Sequence, residues 1–593
     1  MCGFVGFTNK INDASIVLGK MMDRIKHRGP DSDGKYVDEQ IAMGFRRLSI
    51  IDLSDQGSQP IFNEDKSLVL TFNGEIYNYK DLREELIAAG HKFYTQTDSE
   101  VLIHGYEQWG EDMLDKLRGM FAFVIFNKNT NEVFGARDFF GIKPLYYAKM
   151  GETLMWGSEI KSFLDHPHFK KELNTDVLET YLTFQYSPTT ETFFKNVYKL
   201  PAAHCFTYKN GEMNVRRYRI SDTFKNSVEV HKFADVEVGS FLSSGVDSSY
   251  VAAVANVDKT FTVGFGEDEK YNEIGYAKEF SKYIHKENFS KVISPEEYWN
   301  SLSKIQYHMD EPLADPAAVA LFFVCQIASE KVKAVLSGEG ADEIFGGYNI
   351  YHNPADMASY FKIPRPIRKA VGAVADKLPH KHGINYLIRG SKDLDERFIG
   401  NAYIFSEKER KDILSIKTNA PDAMAITKPF YDKVRDQDQV TQMQYIDLHL
   451  WMTGDILLKA DKMSMAHSLE LRVPFLDRKV MELAEQIPVK DRVTETETKY
   501  AMRLAALQAC PPQTAKKKKL GFPVPIRVWL KEDKYYNIVK DKFTSPQSAQ
   551  FFHTDKLVQL LDDHRAGKYD YSRKIWTVFS FLVWYDVYFS DNV

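Results

Sequence analysis

The periodicity of the chain changes once, near residue 235, and that change limits the folds open to it. Up to about residue 208, short strand-like runs follow one another with turns between them: FVGF at 4–7, SLVLTFNGEIYN at 67–78 and GMFAFVIFNKNTNEVFGARD at 119–138. The last run predicts a hairpin with Lys128, Asn129, Thr130 and Asn131 at its turn. Helical spacing appears here in 79–89 and 99–109. From about residue 235, buried strands (VGSFLS, TFTVGF, VKAVLSG) alternate with helical stretches (SSYVAAVAN, NEIGYAKEFSKYIH, VALFFVCQIASEK), which predicts a parallel sheet with crossover helices. Beyond Tyr348 the chain reads as mostly helical. A chain of 593 residues is too long for one core. Two domains are therefore expected, 1–208 and 235–593, joined through the polar stretch 209–234.

Composition removes several classes of function. A net charge of −5 gives no general attraction to nucleic acid or acidic lipid. The one dense basic run, Lys516 to Lys519, reads as mostly solvated, so neither a nucleic-acid nor a membrane partner is expected. No stretch reaches the ~20 consecutive apolar residues of a membrane span. Ile575 to Val587 is the most apolar late stretch, but it contains Trp584 and Asp586 and reads as a packed C-terminal helix. MCGFVGF lacks the basic start and long apolar core of a secretory signal. Cys2, Cys205, Cys325 and Cys510 show neither CxxC pairing nor metal-ligand spacing, which fits a reducing compartment, the cytoplasm.

Cys2 is the first residue with chemical content. A small residue after Met favours removal of Met1, leaving Cys2 with a thiol nucleophile and, in its own α-amine, a base of pKa about 7.7–8.0. The motifs that follow are HRGPDSDG at 27–34, RRLSIIDL at 46–53, FNGEIYN at 72–78, TDSE at 97–100 and RDFFGIKPLYY at 137–147. In this order, residues 2–205 closely resemble the glutaminase domain of class II, N-terminal-nucleophile glutamine amidotransferases. The resemblance implies an αββα sandwich. It also implies that Cys2 attacks the γ-amide of glutamine to form a thioester, with the Asn73 side chain and the Gly74 N–H as oxyanion donors. Arg47 would clasp the α-carboxylate, Asp98 with help from Glu75 would pair with the α-ammonium, and Leu48 and Ile50 would complete the glutamine site.

The second half carries FLSSGVDSS at 241–249, a Gly/Ser loop between a buried strand and a helix. Backbone N–H groups and the positive helix end suit an anion there, and the loop is not a Walker A motif. It resembles the SGGxDS pyrophosphate loop of ATP pyrophosphatases, with Ser244 where that family has Gly. Positive φ at Ser244 would carry a strain cost. VLSGEGADEIFGGY at 335–348 is nearly the full signature of asparagine synthetases and their close relatives. MDEPLADPAA at 309–318 and LLKADKMSMAHSLELRVPFLD at 457–477 extend the match. By this resemblance Leu242, Ser243, Gly245, Asp247, Ser248, Ser249, Val263, Ser337 and Gly338 hold ATP. Asp247 and Asp342 carry Mg²⁺, Glu339 is the acid–base residue, and Lys519 in KLGFPVP stabilises charge on the reacting phosphate.

Together the motifs imply ATP-dependent amidation of aspartate with ammonia from glutamine, through β-aspartyl-AMP, in a glutaminase sandwich followed by a parallel-sheet α/β nucleotide-binding domain with extra helices. ATP is a substrate, Mg²⁺ the metal, glutamine and aspartate the other partners, and a homodimer the one self-association expected. A β-lactam-synthetase-like enzyme, an amidotransferase acting on another carboxylic acid, and a non-catalytic sensor are the rival readings. Cys2, Arg47, Asn73 and Asp98 argue against the first, and the presence of every reacting group argues against the last. The connection between Tyr218 and Val236 is shorter than the family's, which has an extra helix there.

Overall fold

The computed structural model describes residues 2–9, 11–218, 231, 234–266, 268, 270–378, 382–517 and 524–590. The short connection after Tyr218 and Lys519 lie outside the described residues. Twelve described strands precede residue 218: β1 Gly3–Thr8, β2 Ser32–Val37, β3 Ile41–Arg47, β4 Ile61–Phe62, β5 Leu68–Ile76, β6 Gly119–Asn127, β7 Glu132–Arg137, β8 Tyr146–Met150, β9 Thr153–Gly157, β10 Val197–Lys199, β11 His204–Lys209 and β12 Glu212–Arg217. They form two sheets, in the orders β10-β8-β9-β1-β3-β2 and β12-β11-β7-β6-β5-β4.

Period-two alternation stacks these sheets. In β6, Ala122, Val124 and Phe126 join Phe4, Phe45 and Trp156 between the sheets. Phe121, Phe123 and Ile125 point the other way, onto the helices Tyr79–Ala88 and Glu100–Trp109. In β1, Phe4 lies between the sheets while Val5 and Phe7 meet Leu18, Met21 and Met22 of the helix Ala14–Asp23. The result is an αββα sandwich. The expected hairpin joins β6 and β7, with Asn131 at φ 52°, a conformation Asn tolerates. β12 pairs along its whole length with β11, so chain that reads as polar connection extends the second sheet at its edge.

Five parallel strands build the second half: β13 Val238–Phe241, β14 Lys259–Phe265, β15 Glu287–Ile293, β16 Ala334–Leu336 and β17 Glu470–Arg472, in the order β15-β14-β13-β16-β17. The helices Val246–Ala255, Ile274–Tyr283 and Ala317–Ser329 cross between them. The chain moves outward from β13 through β14 to β15, then returns to place β16 on the other side. β13 and β16 thus flank a topological switch point, where the carboxyl ends of parallel strands open a crevice. β17 interrupts a stretch that reads as helical. Among the described residues no helix is long and apolar enough to cross a membrane. The helix Ser572–Phe589 is buried instead, its Trp584 Nε1 donating to the Asp310 carbonyl at 2.7 Å.

Two arginines lock the halves together. Arg28, 0% exposed, donates to Glu159 Oε1 at 2.9 Å, to the Cys2 carbonyl at 3.1 Å, and across the interface to Asp461 Oδ2 at 2.8 Å on the helix Leu457–Met465. Arg472, also 0% exposed, reaches the opposite way from β17 to Glu75 Oε1 at 3.0 Å. Removing one member of such a set leaves an uncompensated buried charge. Arg28→Met is expected to lower unfolding stability by about 3–5 kcal/mol, measured by urea denaturation. Arg28→Met/Asp461→Leu should recover part of the loss, and recovery of none would mean the pair does not couple the halves.

Candidate functional site

The first site forms where β1 begins and β5 ends. Cys2, Arg47, Leu48, Ile50, Gly74, Glu75 and Asp98 line one cavity with Gln59, Thr97, Ser99 and Glu470. Asn73 is fully buried beside it, and its Oδ1 accepts from the Cys2 nitrogen at 3.0 Å. That contact uses the oxygen and leaves Asn73 Nδ2 buried with no hydrogen-bond partner among the described residues. An unpaired buried amide donor next to a thiol costs free energy until an acceptor arrives. Gly74 holds φ at 154°, and a Cβ there would lie 2.1 Å from the Met120 carbonyl oxygen, so only glycine fits.

Burial pushes the Cys2 thiol above its ordinary pKa, against smaller opposing effects of its contact with the Leu48 carbonyl and of Arg47. A thiol so placed needs a base. Arg47 is buried and donates Nη1 to the Ser54 carbonyl at 2.6 Å and Nη2 to that of Asp52. Two of its five N–H donors are thus spent on orientation, leaving a fork for a carboxylate. Three carboxylates meet opposite it. Burial raises Asp98 to about 7, with Glu470 adding to the effect and the Ile76 N–H, 2.8 Å from Oδ2, opposing it. Glu75 is raised well above its usual value by burial, against Arg472. Burial also acts on Glu470, but positive charge nearby, Arg472 and Lys143 included, overrides it and brings that carboxyl to about 2. The pocket therefore sets two raised carboxyls, Asp98 and Glu75, beside one lowered carboxyl, Glu470, and a bound cation would favour ionisation of the raised pair.

The second site lies at the switch point. The loop after β13 packs on itself: Ser243 N donates to Ser248 Oγ at 3.0 Å, and Gly245 N donates to Ser243 Oγ at 3.1 Å. Ser244 does not adopt positive φ, so the expected strain is absent. Its N–H donates to Glu273 Oε2 at 3.2 Å, and its hydroxyl donates to the same carboxylate. The loop after β16 presses against the first, since a Cβ on Gly338 would lie 2.9 Å from both Asp247 Cβ and Ser248 N. Leu242 follows β13 and Val263 lies within the neighbouring β14, and both are buried. Ser249 is buried on the helix behind the loop.

Asp247 and Asp342 converge on one cation, the Lys499 ammonium, at 2.5 and 2.7 Å. Lys499 is 2% exposed and holds φ at 54°, an uncommon conformation for a non-glycine residue. Gly347 makes room for it, because a Cβ there would lie 2.0 Å from both Lys499 Cε and Asp342 Oδ1. Paired hard-oxygen donors that already share a cation fit Mg²⁺. Glu339, bonded through its Oε2 to the Ser337 hydroxyl, is raised to about 7 by burial, with Glu343 adding and Lys459 opposing.

The structure thus gathers the sequence-predicted residues into two clusters, and Lys519 alone falls outside the described residues. Sequence reasoning missed Glu470, Arg472, Lys499 and Glu273. The first two stand in LELRVP, a matched stretch whose chemistry is invisible until β17 meets the other half. Lys499, in TETKYAMR, has no motif of its own.

Residues 1–219 match the family model of the glutamine amidotransferase domain, and residues 219–586 match that of asparagine synthase. Glutamine-hydrolysing asparagine synthetase 1 of Bacillus subtilis (strain 168) is 44% identical over an alignment spanning 99% of this chain and 97% of that protein. Asparagine synthetase 3 of the same organism is 30% identical, over 88% and 87%. A solved glutamine phosphoribosylpyrophosphate amidotransferase from B. subtilis is 18% identical, with a TM-score of 0.29 over 49% of this chain and 65% of that one. Two family models in the order of the two sites, and relatives of nearly equal length, place this chain in the glutamine-hydrolysing asparagine synthetase family.

Proposed function

We infer that this chain transfers the amide nitrogen of glutamine to aspartate, consuming ATP and releasing glutamate, AMP, pyrophosphate and asparagine. The observation that carries this reading is the coexistence, in one chain and against one buried interface, of a thiol site with an unpaired amide donor and a switch-point site with converging carboxylates. Ammonia released into water is protonated and lost as a nucleophile, so joining the sites serves the chemistry. Four free thiols suit the reducing conditions of the cytoplasm.

At the first site the Cys2 nitrogen, once Met1 is removed, takes the thiol proton directly or through a water. Sγ attacks the γ-carbonyl, and Asn73 Nδ2 and the Gly74 N–H receive the developing oxyanion. Arg47 holds the α-carboxylate, while Asp98 and Glu75 receive the α-ammonium and ionise as it binds. Leu48 and Ile50 exclude water from the aliphatic stem. At the second site Ser243, Gly245, Ser248 and Ser249 cradle pyrophosphate, and Leu242, Val263, Ser337 and Gly338 receive the adenylate. Asp247 and Asp342 would hold Mg²⁺, which supplies charge neutralisation at the phosphate oxygens, with Lys499 sharing that task from the protein side. Lys519 would add a point charge on the reacting phosphate. Glu339, poised near neutrality, takes the proton from the ammonia that displaces AMP from β-aspartyl-AMP.

Three outcomes test this. Cys2→Ala is expected to lose glutamine-supported synthesis by more than about 10³-fold while keeping ammonia-supported synthesis; full glutamine-supported activity would overturn the assignment. Lys519→Ala should stop AMP and pyrophosphate formation and Glu339→Gln should stop asparagine formation and AMP release, both with glutamine hydrolysis retained, and amide-¹⁵N glutamine supplied with a panel of acidic acceptors identifies the product. Glutamine binding should weaken as pH falls through about 7, because a protonated Asp98 must release its proton to pair with the ammonium. Calorimetry on Cys2→Ala is expected to approach about a tenfold loss per pH unit below that value. Asp98→Asn should flatten the profile, and an unchanged slope in that variant would assign the titration elsewhere.

A further inference from the structure

Four side chains in the first half, none lining the glutamine cavity, bring two imidazoles and two carboxylates to one point. Glu64 follows β4, His91 follows the helix Tyr79–Ala88, and His104 and Glu107 lie one turn apart on the helix Glu100–Trp109. One ligand atom from each lies within 4.8 Å of all the others. His104 Nδ1 is 3.4 Å from Glu64 Oε2 and 3.9 Å from Glu107 Oε2, and His91 Nδ1 is 3.5 Å from Glu107 Oε2 and 3.8 Å from Glu64 Oε1. Tetrahedral Zn²⁺ bonds of about 2.0–2.1 Å imply ligand atoms about 3.3–3.4 Å apart. The four separations given run from 3.4 to 3.9 Å and the widest in the set stays within 4.8 Å, so the two carboxylates, at the exposed rim, must swing inward to close the set on an ion.

The ring orientations favour the same conclusion. His91 Nε2 faces Gln108 Oε1 at 3.0 Å, and His104 Nε2 faces Glu100 Oε1 at 3.3 Å. An amide oxygen and a carboxylate oxygen only accept, so in both rings Nε2 carries the hydrogen, and in the neutral ring Nδ1 keeps a lone pair. Both Nδ1 atoms point into the cluster. His104 is 0% exposed, and its Nδ1 is buried without a hydrogen-bond partner among the described residues. Outer carboxylate and amide acceptors that fix an imidazole are the usual support of a metal-bound histidine. The carboxylates are anchored too: Glu64 Oε1 accepts the Lys92 N–H at 2.8 Å, and Glu107 Oε1 accepts from Asn63 Nδ2 at 3.4 Å. With Glu64 and Glu107 about a third exposed, the site has an entry path.

We propose that Glu64, His91, His104 and Glu107 form a structural binding site for one divalent transition-metal ion of the Zn²⁺ class. Two nitrogens and two oxygens in a tetrahedral array suit Zn²⁺ better than Mg²⁺, which prefers oxygen octahedra. The ion would staple the loop after β4 to both ends of the segment 91–104. Thr97, Asp98 and Ser99 of that segment line the glutamine cavity. The metal therefore acts as a remote brace for the acidic wall, without touching substrate.

The test uses the full chain, stripped with chelator and kept in excess Mg²⁺. Zn²⁺ titration is expected to give one tightly held equivalent and to raise the thermal midpoint. Co²⁺ should give the visible ligand-field bands of a four-coordinate site without thiolate charge transfer. His91→Ala and Glu64→Gln, both at the partly exposed rim, should lose that equivalent and the Zn²⁺-dependent rise while keeping the apo midpoint. Gln108→Leu should weaken binding by about 10–100-fold. No bound equivalent in the wild type overturns the proposal. So does an equivalent retained by His91→Ala, or one carrying a thiolate signature, since each places the metal elsewhere.

Discussion

The buried exchange of arginines across the domain interface is the constraint on which both sites depend. Arg28 leaves the first half to meet Asp461, and Arg472 leaves the second half to meet Glu75. Neither guanidinium has exposed surface, so neither can swap its partner for water. Desolvating such ions costs as much as their pairing returns. Their effect is therefore to define one register between the halves, since any other docking would strand charges in a dry interface.

That register reaches directly into the chemistry. Arg28 also holds the Cys2 carbonyl, and Arg472 sits beside the carboxylates of the cavity around Cys2. The helix Leu457–Met465 presents Asp461 to the first half, while its Lys459 contacts Asp315 and Asp455 and pulls against the raised Glu339. A shift of this helix would be felt at both sites at once. The loop 48–52 is a second tie: Asp235 N donates to the Ile50 carbonyl at 3.1 Å, and Asp235 Oδ2 accepts from Asp52 N at 3.0 Å. Chain at the start of the second half thus steadies a wall of the first site.

The two sites share an electrostatic plan. In each, carboxylates are crowded and buried until one of them titrates near 7, Asp98 in the first and Glu339 in the second. Low dielectric sets the protonated form, and an arriving cation or developing ammonium reverses it. In the switch-point cluster Lys499 pairs with both Asp247 and Asp342, which explains why a buried lysine in a strained conformation is tolerated there.

Much of this was legible in the residue order. Alternation in 119–138 specified the β6–β7 hairpin, the strand–helix rhythm after 235 specified the parallel sheet, and the motif loops carried Cys2, Asn73, Asp98, Asp247, Glu339 and Asp342, because local propensity and loop chemistry are properties of neighbouring residues. The three-residue β17 was not legible, since so short a strand exists only by pairing with β16. Nor were Arg472 and Lys499, whose partners Glu75 and Asp247 lie 397 and 252 positions away in the chain, nor Glu470, which joins the cavity around Cys2 only through the fold. The pKa values near 7 also belong to the folded molecule alone, because burial and charge crowding are set by what packs around a carboxyl and not by what precedes it.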